Sequence, residues 1–478
     1  MIISQPRVII SALRGGSGKT ILSLGIGANW SREGHRVAPF KKGPDFIDPG
    51  WLTLACGRTC HNLDPFMMSQ EKVLNSFLEK SRGAEMSLIE GNRGLYDGMD
   101  LQGRYSTAEV AKLLNCPVVL IVDVTMATRT VAAMVMGCQK FDPGLDIAGV
   151  ILNRVAGKRQ GDLVRESIES YCQIPVLGEI PKLKGNFFPE RHMGLVPPLE
   201  RDRAGKAIEW AKRVVEDHLD LRRIREIANR AGPLKPQGTR PLWETETAPE
   251  ADARDVPRIG YIRDKAFWFY YPENLAQLEG LGAELVEINS ITSNDLPDID
   301  ALYIGGGFPE VQVDALASNS LFRHSLKGAV AKGLPLYAEC GGMMYLGEGL
   351  ILGDKHFPMV GALPLKFRLE KKPQGHGYTI LRVQKRNLYF PEGDTLRGHE
   401  FHYSRPLMGD LEGVRLVFRV ERGQGLGGSR DGLCTNNLLA TYSHLHAIGY
   451  PAWARRFFEA ALFFKRHIKP SGGLVGIL

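Results

Sequence analysis

The chain has 478 residues with a formal net charge of +7, 44% hydrophobic and 24% charged residues, 54 Gly and 28 Pro. That composition is ordinary for a soluble globular protein, and the length suits two to four domains with sizeable cores. The mild positive charge needs no nucleic acid to explain it but suits anionic small molecules; Lys/Arg blocks of the nucleic-acid type and apolar runs of membrane-spanning length are both missing from the sequence. Seven scattered cysteines, an odd number, argue against a disulfide framework and for a reducing, cytoplasmic setting. Cys56, Cys60 and His61 in "CGRTCH" lack a second cysteine pair at zinc spacing, so a structural metal site is not expected there. The N-terminal apolar run ends in a glycine loop and reads as a first β-strand rather than a signal peptide.

In chain order, continuous apolar runs at 7–13, 36–41, 86–91, 117–124 and 147–154 read as strands buried on both faces of a parallel sheet. Helical patterns at 19–32, 70–82, 106–114, 128–140 and 160–172 lie between them, which predicts a doubly wound α/β domain. Residues 232–256 are rich in Pro, Glu and Thr and lack apolar periodicity, as in a linker. A second α/β series follows at 258–262, 283–288, 301–307 and 335–342, then alternating stretches, "GYTILRVQ" and "GVRLVFRV", of antiparallel type. The expected organisation is a first domain over 1–231, a linker over 232–256 and a second domain over 257–478.

The first strand runs into "ALRGGSGKT". A strand that ends in glycines and opens a helix gathers unpaired backbone N–H groups and the positive end of the helix dipole at one place, which suits phosphate. Gly15, Gly16, Ser17, Gly18, Lys19 and Thr20 are therefore expected to bind ATP. Lys19 would reach the β- and γ-phosphates, and the Thr20 hydroxyl would ligate Mg²⁺. Leu13 stands where the usual loop has its first glycine. Candidate acidic partners sit at strand ends: Asp45 and Asp48 after "FKK", Glu90 and Asp97 in "EGNRGLYDG", and Asp123 in "LIVDV". Taken alone, this loop also allows an ATPase switch that makes no product.

"LPLYAECGGMMYLG" places Cys340 between a short apolar strand and a small-residue turn, the setting of a nucleophile elbow. A helix N-terminus there is expected to lower the thiol pKa. Backbone N–H groups of Gly306, Gly307 and Gly341 are candidates for an oxyanion hole. His444 and His446 in "TYSHLHAIG" are candidate bases, with His444 preferred. No H-x-E pattern supplies a third member, so its identity stays open.

R-G-G-x-G-K-T resembles the variant P-loop of the dethiobiotin-synthetase and MinD/ParA group, with Arg14 at the position of the signature lysine. The Cys340 segment resembles a class I glutamine amidotransferase of the cobyric-acid-synthase branch. Across both domains "FKKGPDFIDPGWL", "NLDPFM", "EGNRGLYDG", "VILNRV", "FPERHMGLVP", "YIGGGFPE", "AECGGMMYL", "GHEFHYS" and "ATYSHLH" resemble the cobyrinate/hydrogenobyrinate a,c-diamide synthase family. The resemblance implies a P-loop synthetase domain plus a glutamine amidotransferase domain, acting in cobalamin biosynthesis. ATP would activate the a and c acetate carboxylates of a corrinoid as acyl phosphates, and ammonia from glutamine would displace phosphate. Mg²⁺ would be held by Thr20, Asp45 and Glu90, and Asn153 would lie near adenine. Asp48, Asp97, Lys41, Lys42 and Arg93 would serve the acyl-phosphate and substrate step. His192, His376, His399 and His402 lie in family motifs and are candidate substrate contacts. Arg93 and Asn92 depart from the family's "EGVMGLYDG", which leaves sirohydrochlorin, its nickel complex or sirohaem as alternative macrocycles. The implied partners are ATP, L-glutamine and an anionic tetrapyrrole, with neither nucleic acid nor membrane; a homodimer stays open.

Overall fold

A computed structural model describes residues 3–183, 190–191, 194–195, 201–235, 256–409, 411 and 413–469. His192 and most of the expected linker lie outside the described residues. Two compact units divide the chain: Met1–Pro65 with Ser69–Thr239, and Phe66–Met68 with Arg240–Leu478. No described helix is long and apolar enough to cross a membrane.

The first unit is built on a seven-stranded sheet of β1 (Arg7–Ala12), β2 (Val37–Lys42), β3 (His61–Leu63), β4 (Met86–Glu90), β5 (Val118–Asp123), β6 (Ile147–Val155) and β7 (Val176–Pro181). Their order is β3-β2-β4-β1-β5-β6-β7, and every pairing is parallel. Each residue of β1, β2 and β4 is buried, which is why these strands read as unbroken apolar runs rather than alternating ones. The helices α1 (Lys19–Arg32), α2 (Ile47–Cys56), α3 (Gln70–Lys80), α4 (Thr107–Leu113), α5 (Thr130–Phe141) and α6 (Lys158–Cys172) alternate with the strands. Local chemistry sets several starts: the hydroxyls of Ser69 and Ser106 accept from the backbone N–H groups of Lys72 and Glu109. Two further helices, α7 (Arg201–His218) and α8 (Leu221–Asn229), complete the unit.

The predicted strands and helices recur within two residues at nearly every boundary. The sequence reading missed β3, β7, α2, α7 and α8. β3 is only three residues long, and "IDPG" opens α2 with residues that otherwise mark turns. Strand β1 has β4 on one side and β5 on the other, and the segments at the carboxyl ends of these strands touch: Lys19 donates to Arg93 O and Arg14 pairs with Asp123.

In the second unit a ten-stranded sheet begins with Glu284–Ile288, Arg258–Ile262, Ala301–Ile304, Leu336–Glu339 and Leu438–Thr441, all parallel. It continues antiparallel through Arg430–Thr435, Arg415–Arg422, Gly375–Val383, Thr395–His402 and His444–Leu445. The antiparallel half contains the two stretches whose alternation predicted it. One apolar cluster gathers Phe322, Leu326, Met343 and Tyr345, and a second gathers Tyr303, Tyr337, Trp453 and Phe457. Phe66 belongs with this unit, stacked on Tyr378 at 4.3 Å between ring centres.

One buried cation ties the first unit together. Arg7 is fully buried, and its guanidinium donates to the carbonyls of Leu114 (2.7 Å), Gln5 (2.6 Å), Asn115 (3.0 Å) and Gly232. Arg7→Met would strand these acceptors away from water, at a cost of about 3 kcal/mol. The first thermal transition should fall by about 6–12 °C. A shift within experimental error would show that the four carbonyls find other partners.

Candidate active sites

The phosphate loop leaves β1 at Ala12 and enters α1 at Lys19, with Gly16 (φ 70°) and Gly18 (φ 91°) both left-handed. Gly18 also has no room for a side chain, since a Cβ would lie 2.8 Å from Nδ2 of Asn153. No side chain caps α1, so its first N–H groups remain available to an anion. Lys19 Nζ donates to the carbonyls of Arg14 (3.2 Å) and Arg93 (2.6 Å), which hold it against the loop. Burial, followed by the neighbouring Lys41 charge, lowers its pKa. Asn153 lies beneath the loop, its amide donating to Ser17 O at 2.9 Å, with Oδ1 accepting from the Arg154 N–H. Its side chain braces the loop in this arrangement.

Strand register creates the acidic centre. Lys41 on β2 sits directly beside Glu90 on β4, and Ile10 on β1 flanks Glu90 from the other side. Lys41 Nζ lies 2.5 Å from Asp48 Oδ2, 2.8 Å from Glu90 Oε1 and 4.0 Å from Asp45 Oδ2. The Thr20 hydroxyl donates to the same Glu90 oxygen at 2.7 Å and lies 3.4 Å from Asp48 Oδ2. Burial works against the Lys41 charge, but Asp48 and Glu90 outweigh it and raise its pKa, so Lys41 stays an ammonium. Burial also works to raise Asp48, yet Lys41 and the surrounding hydrogen bonds hold it below the usual carboxylate range. Burial and the adjacent Asp48 lift Asp45, while Glu90 is pushed up to about 7, chiefly by burial. Asp45 Oδ1 accepts from Ile47 N at 3.0 Å, fixing the entry to α2.

The remaining candidates surround this centre. Lys42 is buried, and desolvation lowers its pKa to about 8 against the pull of Asp64. Asp97 accepts from Gly94 N at 2.8 Å and shapes the turn after β4. Arg93 is exposed with φ 51° and supplies the carbonyl that holds Lys19. Asp123 accepts from both Arg14 (3.0 Å) and Arg154 (2.7 Å). Among the described residues, no group of three or more His, Cys, Asp or Glu forms a ready-made metal centre.

In the second unit Cys340 follows the Leu336–Glu339 strand and precedes α12 (Gly341–Leu346), the six-residue helix reached after α9 (Pro272–Gly280), α10 (Val313–Ser318) and α11 (Ser320–Ala331). Its backbone, φ 46° and ψ −103°, is strained for a residue with a side chain, as at a sharp strand-to-helix elbow. The thiol is buried. Burial comes first, then the Glu310 charge, in pushing its pKa above the usual thiol value, and the Gly341 N–H only partly offsets them. The expected depression by the helix N-terminus is therefore not found: one short turn of helix is outweighed by desolvation.

His444 opens the short strand His444–Leu445, just after the Leu438–Thr441 strand that pairs with Leu336–Glu339. Its ring stacks on Phe269 at 4.1 Å, and its Nε2 edge faces Gly306, whose Cβ position would lie 2.4 Å from the ring Cε1 and 3.1 Å from Nε2. Only glycine fits at Gly306. Gly307 packs against Gly341, whose Cβ position would lie 2.9 Å from Gly307 O and 3.1 Å from Gly307 N. His444 Nδ1 is 3.2 Å from Glu339 Oε2, a partner the sequence reading did not name. Burial lowers the His444 pKa to about 3, so the free imidazole is neutral. His446 instead faces Glu273, with Nε2 to Oε2 at 3.5 Å. His402 stacks on Tyr442 and its Nδ1 faces Ser404 O, while His399 packs 5.1 Å from the His444 ring. His376 lies against Phe401.

Comparison with known proteins agrees with this division. Residues 8–196 match the CobQ/CobB/MinD/ParA nucleotide binding domain, and residues 258–451 match the CobB/CobQ-like glutamine amidotransferase domain. Nucleotide binding joined to glutamine amidotransfer defines a class: glutamine-dependent ligases. Within it, a cobyrinate a,c-diamide synthase of Magnetococcus marinus is 44% identical over 450 residues, covering 94% of this chain and 96% of its own. One of Archaeoglobus fulgidus is 43% identical over 459 residues (96% and 98%), and one of Methanosarcina acetivorans 39% over 490 (98% and 97%). The chain belongs to the cobyrinate a,c-diamide synthase family.

The Lys41 centre makes a pH-dependent prediction. In Lys41→Met, Asp48 and Glu90 are buried without a counter-ion, and their folded-state pKa values rise. Acids with raised values favour the folded state only below their unfolded pKa, and that contribution is lost as pH climbs through the folded value. Thermal unfolding should therefore show a gap from wild type that widens between pH 5 and pH 8, reaching about 3–5 kcal/mol. A gap independent of pH would contradict the ion-pair account.

Proposed function

We propose that the protein uses ATP and glutamine to convert the a and c acetate carboxylates of cobyrinic acid to amides during cobalamin biosynthesis. The carrying observation is the joint presence of a phosphate loop facing the Thr20–Lys41–Asp48–Glu90 centre and a strained, buried Cys340 elbow with His444. A carboxylate oxygen of the substrate attacks the γ-phosphorus of ATP, ADP leaves, and an acyl phosphate forms. Ammonia then attacks the acyl carbon and phosphate leaves. The loop amides and Lys19 bind the phosphates, with Lys19 exchanging its two carbonyl partners for phosphate oxygens. Lys41 keeps its proton and fixes Asp48 and Glu90 in place. Lys42 and Arg93 supply positive charge for the anionic tetrapyrrole.

The donor set fits Mg²⁺. Glu90 Oε2 is buried without a hydrogen-bond partner, and the Thr20 hydroxyl and Asp45 are hard oxygen ligands beside it. When bound, the ion would neutralise charge on the nucleotide phosphates. At the second site His444 takes the Cys340 proton, and the thiolate attacks the glutamine amide carbon. Ammonia leaves, and water hydrolyses the resulting thioester to glutamate. N–H groups of Gly306, Gly307 and Gly341 stabilise the oxyanion.

Cys340→Ser should lose glutamine-driven synthesis by at least about 10³-fold and keep synthesis driven by added ammonia. Lys19→Ala should lose both and keep glutaminase activity. Mass spectrometry of products should show doubly amidated cobyrinic acid from the wild type. Amidated sirohydrochlorin, its nickel complex or sirohaem with unchanged cobyrinic acid would overturn the substrate assignment.

A further inference from the structure

Among the described residues, three buried histidine–carboxylate pairs lie in the second unit: His444 with Glu339, His402 with Glu400, and His446 with Glu273. Their surroundings differ. Glu400 is held by the backbone N–H groups of Gln424 (2.6 Å) and Gly425 (2.9 Å), and it lies 3.6 Å from His402. His446 Nε2 stands 3.5 Å from Glu273 and is otherwise without a partner. Only the first pair joins the residue directly before the nucleophile to the candidate base.

We infer that Glu339 is the positioning carboxylate of the glutaminase site, completing a Cys340–His444–Glu339 relay from inside the strand that carries the nucleophile. The inference rests on the reading of Cys340 and His444 given above. Glu339 is the last residue of its strand, so the backbone that fixes it also fixes Cys340. Its Oε2 faces His444 Nδ1 at 3.2 Å and accepts from the Tyr303 hydroxyl at 3.1 Å. Its Oε1 accepts from the Tyr337 hydroxyl and from Leu445 N, each at 3.2 Å. The carboxylate is thus locked from its own strand, from Ala301–Ile304, and from the segment bearing the histidine. Phe269 stacks on the His444 ring at 4.1 Å between ring centres, fixing its plane.

Ionised Glu339 holds the proton on Nδ1 and leaves the Nε2 lone pair on the Gly306 side. When His444 takes the Cys340 proton, the same carboxylate faces the new imidazolium. Among the described residues, Glu339 is the carboxylate that faces Nδ1 within ion-pair distance. The other groups felt by His444 are Glu400 and the imidazoles of His402 and His399, and His402 disfavours a charged ring. Burial pushes Glu339 up to about 8, with Leu445 N, Tyr303 and Tyr337 pulling the other way. A proton retained by the pair occupies the Nδ1 contact and forces the unproductive tautomer. Glutaminase activity should therefore fall as pH drops and the pair gains that proton.

The test measures glutaminase kcat, KM for glutamine and the pH profile, with the rate of Cys340 alkylation by iodoacetamide. Glu339→Gln keeps the size of the side chain and an acceptor for Leu445 N. It should lower kcat by about 10²-fold or more, with KM changed less than about threefold, and slow alkylation in parallel. Its acid limb should move to lower pH, because only the buried imidazole remains to titrate. Tyr303→Phe, which removes a donor to the oxygen facing His444, should move the acid limb of an otherwise folded enzyme to higher pH by about half a unit or more. An unchanged profile in Tyr303→Phe, or a Glu339→Gln enzyme with full kcat, would overturn the role of Glu339. Full glutaminase activity in Cys340→Ser would instead overturn the underlying reading of the site.

Discussion

Lys41 carries its charge deep inside the first unit because Asp48 and Glu90 lie within 2.8 Å of it. None of the three could remain ionised there alone: isolated buried charges cost several kcal/mol each. The strand order puts β2 and β4 side by side, and the parallel register sets Lys41 opposite Glu90. The Thr20 hydroxyl, first turn of α1, joins the same oxygen of Glu90. Sheet, loop and helix are therefore linked through one charge cluster, and the phosphate loop is held where that cluster can serve a nucleotide.

The second unit solves a related problem with a different resource. Among the described residues its buried groups include no lysine, and desolvation acts against the thiolate. In the proposed reaction the thiol gives its proton to His444 as it attacks. His444 is held by the stacked Phe269 ring and by a carboxylate at Nδ1. Glycines at 306, 307 and 341 leave the space that side chains would fill. In both units the chemistry sits at the carboxyl ends of parallel strands, where a chain that turns sharply exposes its backbone N–H groups.

Much of this was legible before any coordinates. Strands buried on both faces are unbroken apolar runs, so the first sheet could be read as parallel. Gly-Lys-Thr after a strand and Cys-Gly-Gly after another each mark a turn that few residues tolerate. What the sequence hid was lateral. Nothing in "FKKGPDFID" says that Lys41 bridges Asp48 and Glu90, because that depends on strand register. Glu339 was overlooked for the same reason. It was adjacent to Cys340 in plain view, yet its partner lies 105 positions away. The only signal was a carboxylate ending an apolar strand, the feature that had already drawn notice to Glu90. Helix α2 was missed because Asp48 and Pro49 look like a turn, and the pKa shift of Cys340 was misjudged because burial is a tertiary property.

In the proposed reaction the first unit activates a carboxylate by phosphorylation, and nitrogen replaces the phosphate. Substrate labelled with ¹⁸O in its carboxyl groups, incubated with ATP and ammonia, tests it most directly. Mass analysis of the inorganic phosphate should find one ¹⁸O for every amide formed. Phosphate free of ¹⁸O, with amide still produced, would contradict the account.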